Sequence, residues 1–447
     1  MVYEKLFEEF IDEIKEEGTY ASAEEIREAT KDALNIIKDN KDATPEEIIE
    51  LIIQNNINLL EAIKNKYPVP GYTVGVNVDN INVKITGGCL DYEGRKMRDD
   101  ALFDIASMTK FYTQVIAYNL IKEGYFTFSD KIRDLDPRFE NLSDLTVNDI
   151  LTFTTKFQTD GRLDSKQSHH EAYETLLKVK PVEVGNYNYN DIGVMIMKEV
   201  MEYVTMTTYP DLIEKYITDK YKLHDTELDL PVNKVYRATG SANDHIGMIN
   251  DPSALALGGY SGHAGIFVSS DDLIKLGKAV HNGLIPDGLI FNTYTPGVVD
   301  NRGIMGNTYT SHERGIDRSY VDRLEPKTNF AIQGSTRVQM NIGKHSVMTA
   351  LLNPASMGRD AAMEMERRIN AKLKSQGKAP VHLIKDLYFD GVHYSSFDVR
   401  QMAPGPQTIE PIATSNAVLA LRLRLLNKFI KEYDKSFDEK IEVHKSM

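Results

Sequence analysis

The chain is expected to fold as an α/β protein: an antiparallel sheet flanked by helices, with a mostly helical subdomain beside it. Three features of the sequence lead there. Apolar residues alternate early, in Tyr72-Thr-Val-Gly-Val-Asn-Val78 and Ile81-Asn-Val-Lys-Ile85, and period-two alternation marks strands. Such runs return in Asn329-Phe-Ala-Ile332, Val338-Gln-Met-Asn-Ile342 and Val347-Met-Thr-Ala-Leu-Leu352. Helical spacing dominates the stretch between, from 107 to about 290. A helical block set between two groups of strands implies that the groups join into one sheet, of about five strands.

In chain order, residues 1–66 read as a helical extension, with helices near 2–16, 22–39 and 45–66. Phe7, Phe10, Ile11 and Ile14 share one helical face. Ser22-Ala-Glu-Glu25 and Thr44-Pro-Glu-Glu47 are capping-box starts, the second with Pro45 at the first helical position. The segment fits a packing layer on the main domain or a partner-binding module. Pro68-Val-Pro-Gly71 punctuates the chain. Asp79-Asn80, between the first two alternating runs, marks a β-hairpin turn. The main domain is expected over 67–376, with the helical subdomain at about 113–290 and a helix at about 358–374. Residues 377–447 form a C-terminal extension packing on that domain, with an amphipathic helix near 414–433. No internal repeat or low-complexity segment is present.

Composition narrows the function. The 447 residues carry 52 Lys plus Arg against 66 Asp plus Glu, a formal charge of −14. That acidity argues against nucleic acid or an anionic membrane as the main partner. Cys89 is the single cysteine, which excludes an intramolecular disulfide and a multi-cysteine zinc site. No segment approaches the roughly 18 unbroken apolar residues of a membrane span. The N-terminus reads as an amphipathic helix, so a cytoplasmic location is expected unless a leader has been removed.

The strongest local signal is Phe103-Asp-Ile-Ala-Ser107-Met-Thr-Lys110-Phe-Tyr. Residues three apart on a helix share a face. A serine hydroxyl is a poor nucleophile until a neighbour accepts its proton, and a lysine in a partly dehydrated cleft can lose basicity. A Ser-x-x-Lys pair alone is weak: Ser375-Gln-Gly-Lys378 matches too and reads as a solvated loop. Taken alone, Ser107 also fits a capping serine beside a surface lysine.

The surrounding sequence resembles the serine β-lactamase and penicillin-binding-protein superfamily. The Ser107 segment is similar to its first motif. Leu120-Ile-Lys-Glu-Gly-Tyr-Phe-Thr-Phe-Ser-Asp-Lys131, Leu145-Thr-Val-Asn-Asp-Ile-Leu-Thr-Phe-Thr-Thr155 and Tyr187-Asn-Tyr-Asn-Asp-Ile-Gly193 follow in the family's order. So do Leu223-His-Asp-Thr226 and Leu257-Gly-Gly-Tyr-Ser-Gly-His-Ala-Gly-Ile-Phe-Val-Ser-Ser-Asp-Asp-Leu273. The resemblance spans about 70–376 and implies a transpeptidase-like fold, with the cleft between sheet and helical subdomain.

It also implies roles. Ser107 would be the nucleophile, at the start of a buried helix 107–123, and Lys110 would share its proton. Tyr189, in the second motif, would act as a phenolate-like base and then as an acid. A free tyrosine has a pKa of about 10, so that role needs positive charge close by, from Lys110. Asp191 takes the position that contacts the lysine and substrate. The third motif departs from the family: the triplet is Ile332-Gln333-Gly334, without the usual His or Lys. Gly334 would leave room for a substrate carbonyl, and the Ser335 N–H would join that of Ser107 in an oxyanion hole. Arg337 could supply charge nearby. Phe153 stands where the family usually has a histidine. His263 fits the family's Gly-His-Ala-Gly pattern as a structural or cleft-lining residue.

His169-His170 form no metal spacing and read as solvated. A Gly-x-Ser-x-Gly elbow, a His-Glu-x-x-His motif and a P-loop are absent, and nothing calls for a metal or organic cofactor. The partner is expected to be a small-molecule or peptide substrate; the oligomeric state is left open. Two functions remain. One is a serine hydrolase acting on an ester, amide or lactam, with esterase or D-amino-acid peptidase ranked above β-lactamase. The other is a catalytically impaired binding or regulatory module on the same fold.

Overall fold

The computed structural model describes residues 2–19, 21–66, 69–91, 93–186, 188–228, 230–239, 246–283, 302–303, 306–308, 324, 330–334, 336–353, 359–397, 410–433 and 439–447. Tyr187, Ser335, Asn329 and the expected end of the helical subdomain at 284–290 lie outside them.

The N-terminal helices are α1 (Val2–Glu16), α2 (Ala23–Asp39), α3 (Pro45–Ile52) and α4 (Gln54–Lys66). Both capping boxes form, Ser22 with Glu25 and Thr44 with Glu47. Each satisfies backbone N–H groups that a helix start leaves unpaired. The helix expected over 45–66 is broken at Ile53. Just past the break, Asn56 donates to Ser415 on the C-terminal helix Glu410–Tyr433.

The hairpin forms as read. Strands β1 (Gly71–Val78) and β2 (Ile81–Gly88) pair antiparallel. They turn at Asp79, whose φ is +50°, a conformation that Asp adopts more readily than most residues. On its other side β1 pairs with Ser346–Asn353. The order across the sheet is Ile441–Ser446, β2, β1, Ser346–Asn353, Val338–Ile342, Phe330–Gly334, Gly306–Thr308 and Arg302–Gly303. Among the described residues the sheet has eight strands, where about five were expected. The added edge, Ile441–Ser446, runs parallel to β2, whereas the other pairings are antiparallel. It lies beyond the helix at which the sequence reading stopped.

Both faces of the sheet are covered, which is why β1 is buried along its whole length. Tyr72, Val74, Val76, Met348, Ala350 and Leu352 pack with α1–α4 and with Leu419, Leu423 and Leu426 of the C-terminal helix. Val347, Leu351 and Met340 point the other way, against the helix Ser270–His281 and the helical block. Alternation along a strand thus feeds two cores. Gly75 permits the second contact: a Cβ there would lie 2.8 Å from both Ser270 Oγ and Thr349 Oγ1. Among the described residues no helix is long and apolar enough to cross a membrane.

Candidate active site

The site is built around the turn that feeds helix α5 (Thr109–Lys122). The short strand Phe103–Asp104 runs into a tight helical turn, Ala106–Met108, and α5 follows. Ser107 therefore sits in the turn rather than in the α-helix itself. Ala106 has a φ of +43°, sterically costly for a residue with a Cβ. The Asp104 carboxylate helps to hold it, accepting the Ala106 N–H at 2.7 Å and the Asn250 N–H at 2.7 Å. Burial pushes the Asp104 carboxyl up to about 6, despite those two bonds. Helix α5 is buried on nearly every side, as a helix through the middle of a core must be.

One turn on, Lys110 Nζ lies 2.8 Å from Ser107 Oγ. It also lies 2.7 Å from Asp191 Oδ1 and donates to the His263 carbonyl at 3.4 Å. The Tyr189 ring is the fourth neighbour, with its centroid 5.0 Å from the ammonium. Burial by itself would lower the Lys110 pKa, but Tyr189 and Asp191 outweigh it and raise it above the ordinary value. Lys110 is thus held as a cation that donates to Ser107. Ser107, Lys110, Tyr189 and Asp191, separate in sequence, are brought together here. Asp191 starts the helix Ile192–Thr205 without capping it by its side chain, and its carboxylate pairs with the lysine.

The His263 side chain is fully buried, so it does not line a cleft; it reaches the site through its carbonyl. Its Nε2 lies 2.9 Å from Asp251 Oδ1. Asp251 also caps the helix Pro252–Ala256 through the Ala254 N–H, at 2.8 Å. Burial would raise the Asp251 pKa, but its interaction with His263 holds the carboxyl below the usual range. The sequence reading missed Asp251; the available signal was Asp-Pro at a helix start. Among the described residues, Asp191, Asp251 and His263 offer potential ligand atoms within 4.8 Å of one another. Lys110 already places positive charge against Asp191 there.

Gly334 has a packing reason beside the one expected. A Cβ on it would overlap the Ile105 carbonyl oxygen and lie 2.7 Å from Val338 Cγ2. Its bareness lets the strand Phe330–Gly334 pack against the backbone two residues before Ser107, rather than only clearing a path for substrate. Thr336 Oγ1 donates to the Asp104 carbonyl at 2.6 Å. The neighbours of Ser335 on both sides therefore touch the segment leading to Ser107. Gln333 pairs with Gln339 across the sheet, and Ile332 with Met340.

Other candidates fall elsewhere. Ser375 and Lys378 are exposed, as expected, but Ser375 is the last residue of the helix Arg359–Ser375 rather than part of a loop. His170 is exposed too, but His169 is not simply solvated. Its Nδ1 is 3.0 Å from the Ala256 carbonyl, and its ring stacks on Phe389.

Residues 56–303 match the model of the Beta-lactamase family. The chain belongs to that family. This beta-lactamase-family chain is 25% identical over 240 residues to a protein named "Putative D-alanyl-D-alanine carboxypeptidase" from Escherichia coli (strain K12), covering 45% of this chain and 55% of the relative. The chain thus spans about half the length of the curated relatives it matches. Among solved structures it resembles EstCE1, described as a hydrolase with promiscuous acyltransferase activity, at a TM-score of 0.55 and 14% identity. That match covers 69% of this chain and 96% of the other. It also resembles a class C beta-lactamase at a TM-score of 0.56 and 16% identity, covering 74% and 99%. At these identities the structures establish the beta-lactamase/transpeptidase fold expected from the sequence.

Proposed function

We propose that the chain is a serine hydrolase working through an acyl-enzyme on Ser107, cleaving an ester or the amide bond of a D-amino-acid peptide. The observation that carries the reading is the position of Lys110 Nζ, 2.8 Å from Ser107 Oγ and 2.7 Å from Asp191. A lysine held cationic is a donor, so the serine proton needs another acceptor, and Tyr189 beside the ammonium fills that role. Ser107 Oγ attacks the substrate carbonyl and its proton passes to the Tyr189 oxygen, which accepts it in the phenolate form. The tetrahedral adduct collapses, and the leaving group takes that proton as it departs. Water then repeats the sequence in reverse and frees Ser107. The oxyanion would be met by the N–H groups of Ser107 and Ser335, beside Gln333 and Gly334.

Relatives named as carboxypeptidases and a neighbour described as an acyltransferring hydrolase support acyl transfer. Ile332, in place of the third-motif base, ranks lactam hydrolysis below ester and peptide cleavage. The same substitution favours the second reading, a binding or regulatory module with impaired turnover. Intact-mass analysis after incubation with a serine-reactive fluorophosphonate separates the two. A single adduct mapped to Ser107, and lost in Ser107→Ala, is expected. A folded protein that takes no adduct, or an equal adduct on Ser107→Ala, overturns the acyl-enzyme.

A further inference from the structure

Tyr189 is 48% exposed, so burial does not hold its ring beside Lys110. Something else must, because displacing a catalytic group by about an ångström costs on the order of a hundredfold in rate. The ring of Phe153 lies against it, with centroids 5.2 Å apart and planes 28° apart. Stacked rings of this kind attract beyond the area they bury. Two backbone bonds and one from a side chain add further ties. The Asn188 N–H donates to the Phe153 carbonyl at 2.6 Å, and the Gly185 N–H to that of Thr154 at 2.8 Å. Asn190 Nδ2 donates to the Thr155 carbonyl at 2.9 Å. Residues 153–155 therefore grip the chain on both sides of Tyr189.

Phe153 itself is buried, and its φ is +55°. A bulky side chain in that region is an outlier, and such strain persists only where its surroundings enforce it. Glycine or asparagine would relax the backbone at 153 and give up the stacking ring. The strained backbone aims both the carbonyl and the ring at the tyrosine segment.

We infer that Phe153 is a positioning residue that holds the Tyr189 phenol against Lys110. The inference rests on the acyl-enzyme reading. Phe153 carries no group that could move a proton, so it acts through Tyr189 and its removal loosens the tyrosine without changing the serine.

The test compares wild type, Phe153→Leu, Phe153→Tyr, Tyr189→Phe and the Phe153→Leu/Tyr189→Phe double variant as full chains. The readouts are the rate constant for fluorophosphonate labelling of Ser107, and kcat and KM for p-nitrophenyl butyrate. Labelling rates and kcat are referred to the folded fraction of each variant, measured by its urea unfolding curve, so a destabilised variant still reports. Leucine keeps apolar bulk but lacks the ring face. Phe153→Leu is expected to slow labelling and lower kcat about tenfold or more, with KM within about twofold. Phe153→Tyr, which keeps the ring face, is expected within about threefold of wild type. The double variant should label no more slowly than Tyr189→Phe alone, because the two residues act as one unit. Wild-type labelling in Phe153→Leu, or the same loss repeated on the Tyr189→Phe background, overturns the inference. Slow Tyr189→Phe beside normal Phe153→Leu sinks the positioning role alone, whereas wild-type labelling in Tyr189→Phe removes the phenol's role and the inference with it.

Discussion

Lys110 Nζ and Asp191 Oδ1 stand 2.7 Å apart, so the lysine beside the nucleophile carries its own counter-ion. Burial and the carboxylate pull the lysine in opposite directions, and Tyr189 adds to the carboxylate's side. Replacing Asp191 therefore changes the charge state of the site more than its shape.

In Asp191→Asn part of the force holding the ammonium is gone, while burial still opposes the charge. The Lys110 pKa should fall. If the cation must be present for Tyr189 to work, the alkaline limb of Ser107 labelling should move to lower pH in the variant. In fluorophosphonate labelling rates over about pH 6 to 11, a window that spans the ordinary lysine pKa, the limb should enter only in the variant, because the wild-type lysine is held above its ordinary value. The same flat profile in both proteins would mean that Asp191 does not set the lysine's charge.

Position 332 tests why lactams rank low. Ile332 stands on the strand Phe330–Gly334, opposite Met340, where the family carries a base. Ile332→His should speed acylation by a fluorescent penicillin, read as Ser107-dependent gel labelling. No change would place the barrier to lactam recognition outside this one side chain.

Local periodicity made much of the fold legible. The hairpin β1–β2 was readable because alternation and the Asp79-Asn80 turn agree, and both N-terminal capping boxes were readable from four residues each. Ser107 and Lys110 could be paired because they are one helical turn apart. What could not be read depends on distant partners. Asp251 matters through His263, twelve residues on, and Asp104 through Asn250 on a remote loop. Phe153, in the place of a family histidine, gains its meaning from the Tyr189 ring it stacks on, which lies in a separate segment. The strand Ile441–Ser446 is six residues long and gains its meaning only from lying beside β2.

Gly334 couples the sheet to the nucleophile, and this can be measured. A Cβ at this position would overlap the Ile105 carbonyl oxygen, and backbone cannot move aside as a side chain can. Gly334→Ala should cost about 1–3 kcal/mol of stability, the usual range for overpacking. It should also slow Ser107 labelling, because relief requires the strand or the turn to shift. Urea unfolding and labelling rates together test this. Loss of stability with unaltered labelling would confine Gly334 to packing.

Asp104 gives a pH dependence whose sign is fixed by its burial. Its carboxyl titrates at about 6 in the folded chain against 3.8 when free. Between those values the folded protein keeps a proton that the unfolded chain has lost. Stability should therefore fall as pH rises through that window, by about 3 kcal/mol in total from this group. Asp104→Asn cannot ionise, so the stability difference between variant and wild type should shift toward the variant from pH 4 to 7 in urea titrations. Parallel curves would show that Asp104 titrates like an exposed carboxyl. The wild type accepts this cost because an ionised carboxylate can take both the Ala106 and the Asn250 N–H groups, whereas the amide of asparagine offers one acceptor oxygen and a donor. The turn at Ala106 that presents Ser107 depends on the first of those bonds. Asp104→Asn should therefore label more slowly at pH 7 even where its stability has overtaken the wild type. A variant that gains stability and keeps its labelling rate would separate the carboxylate from the aim of the nucleophile.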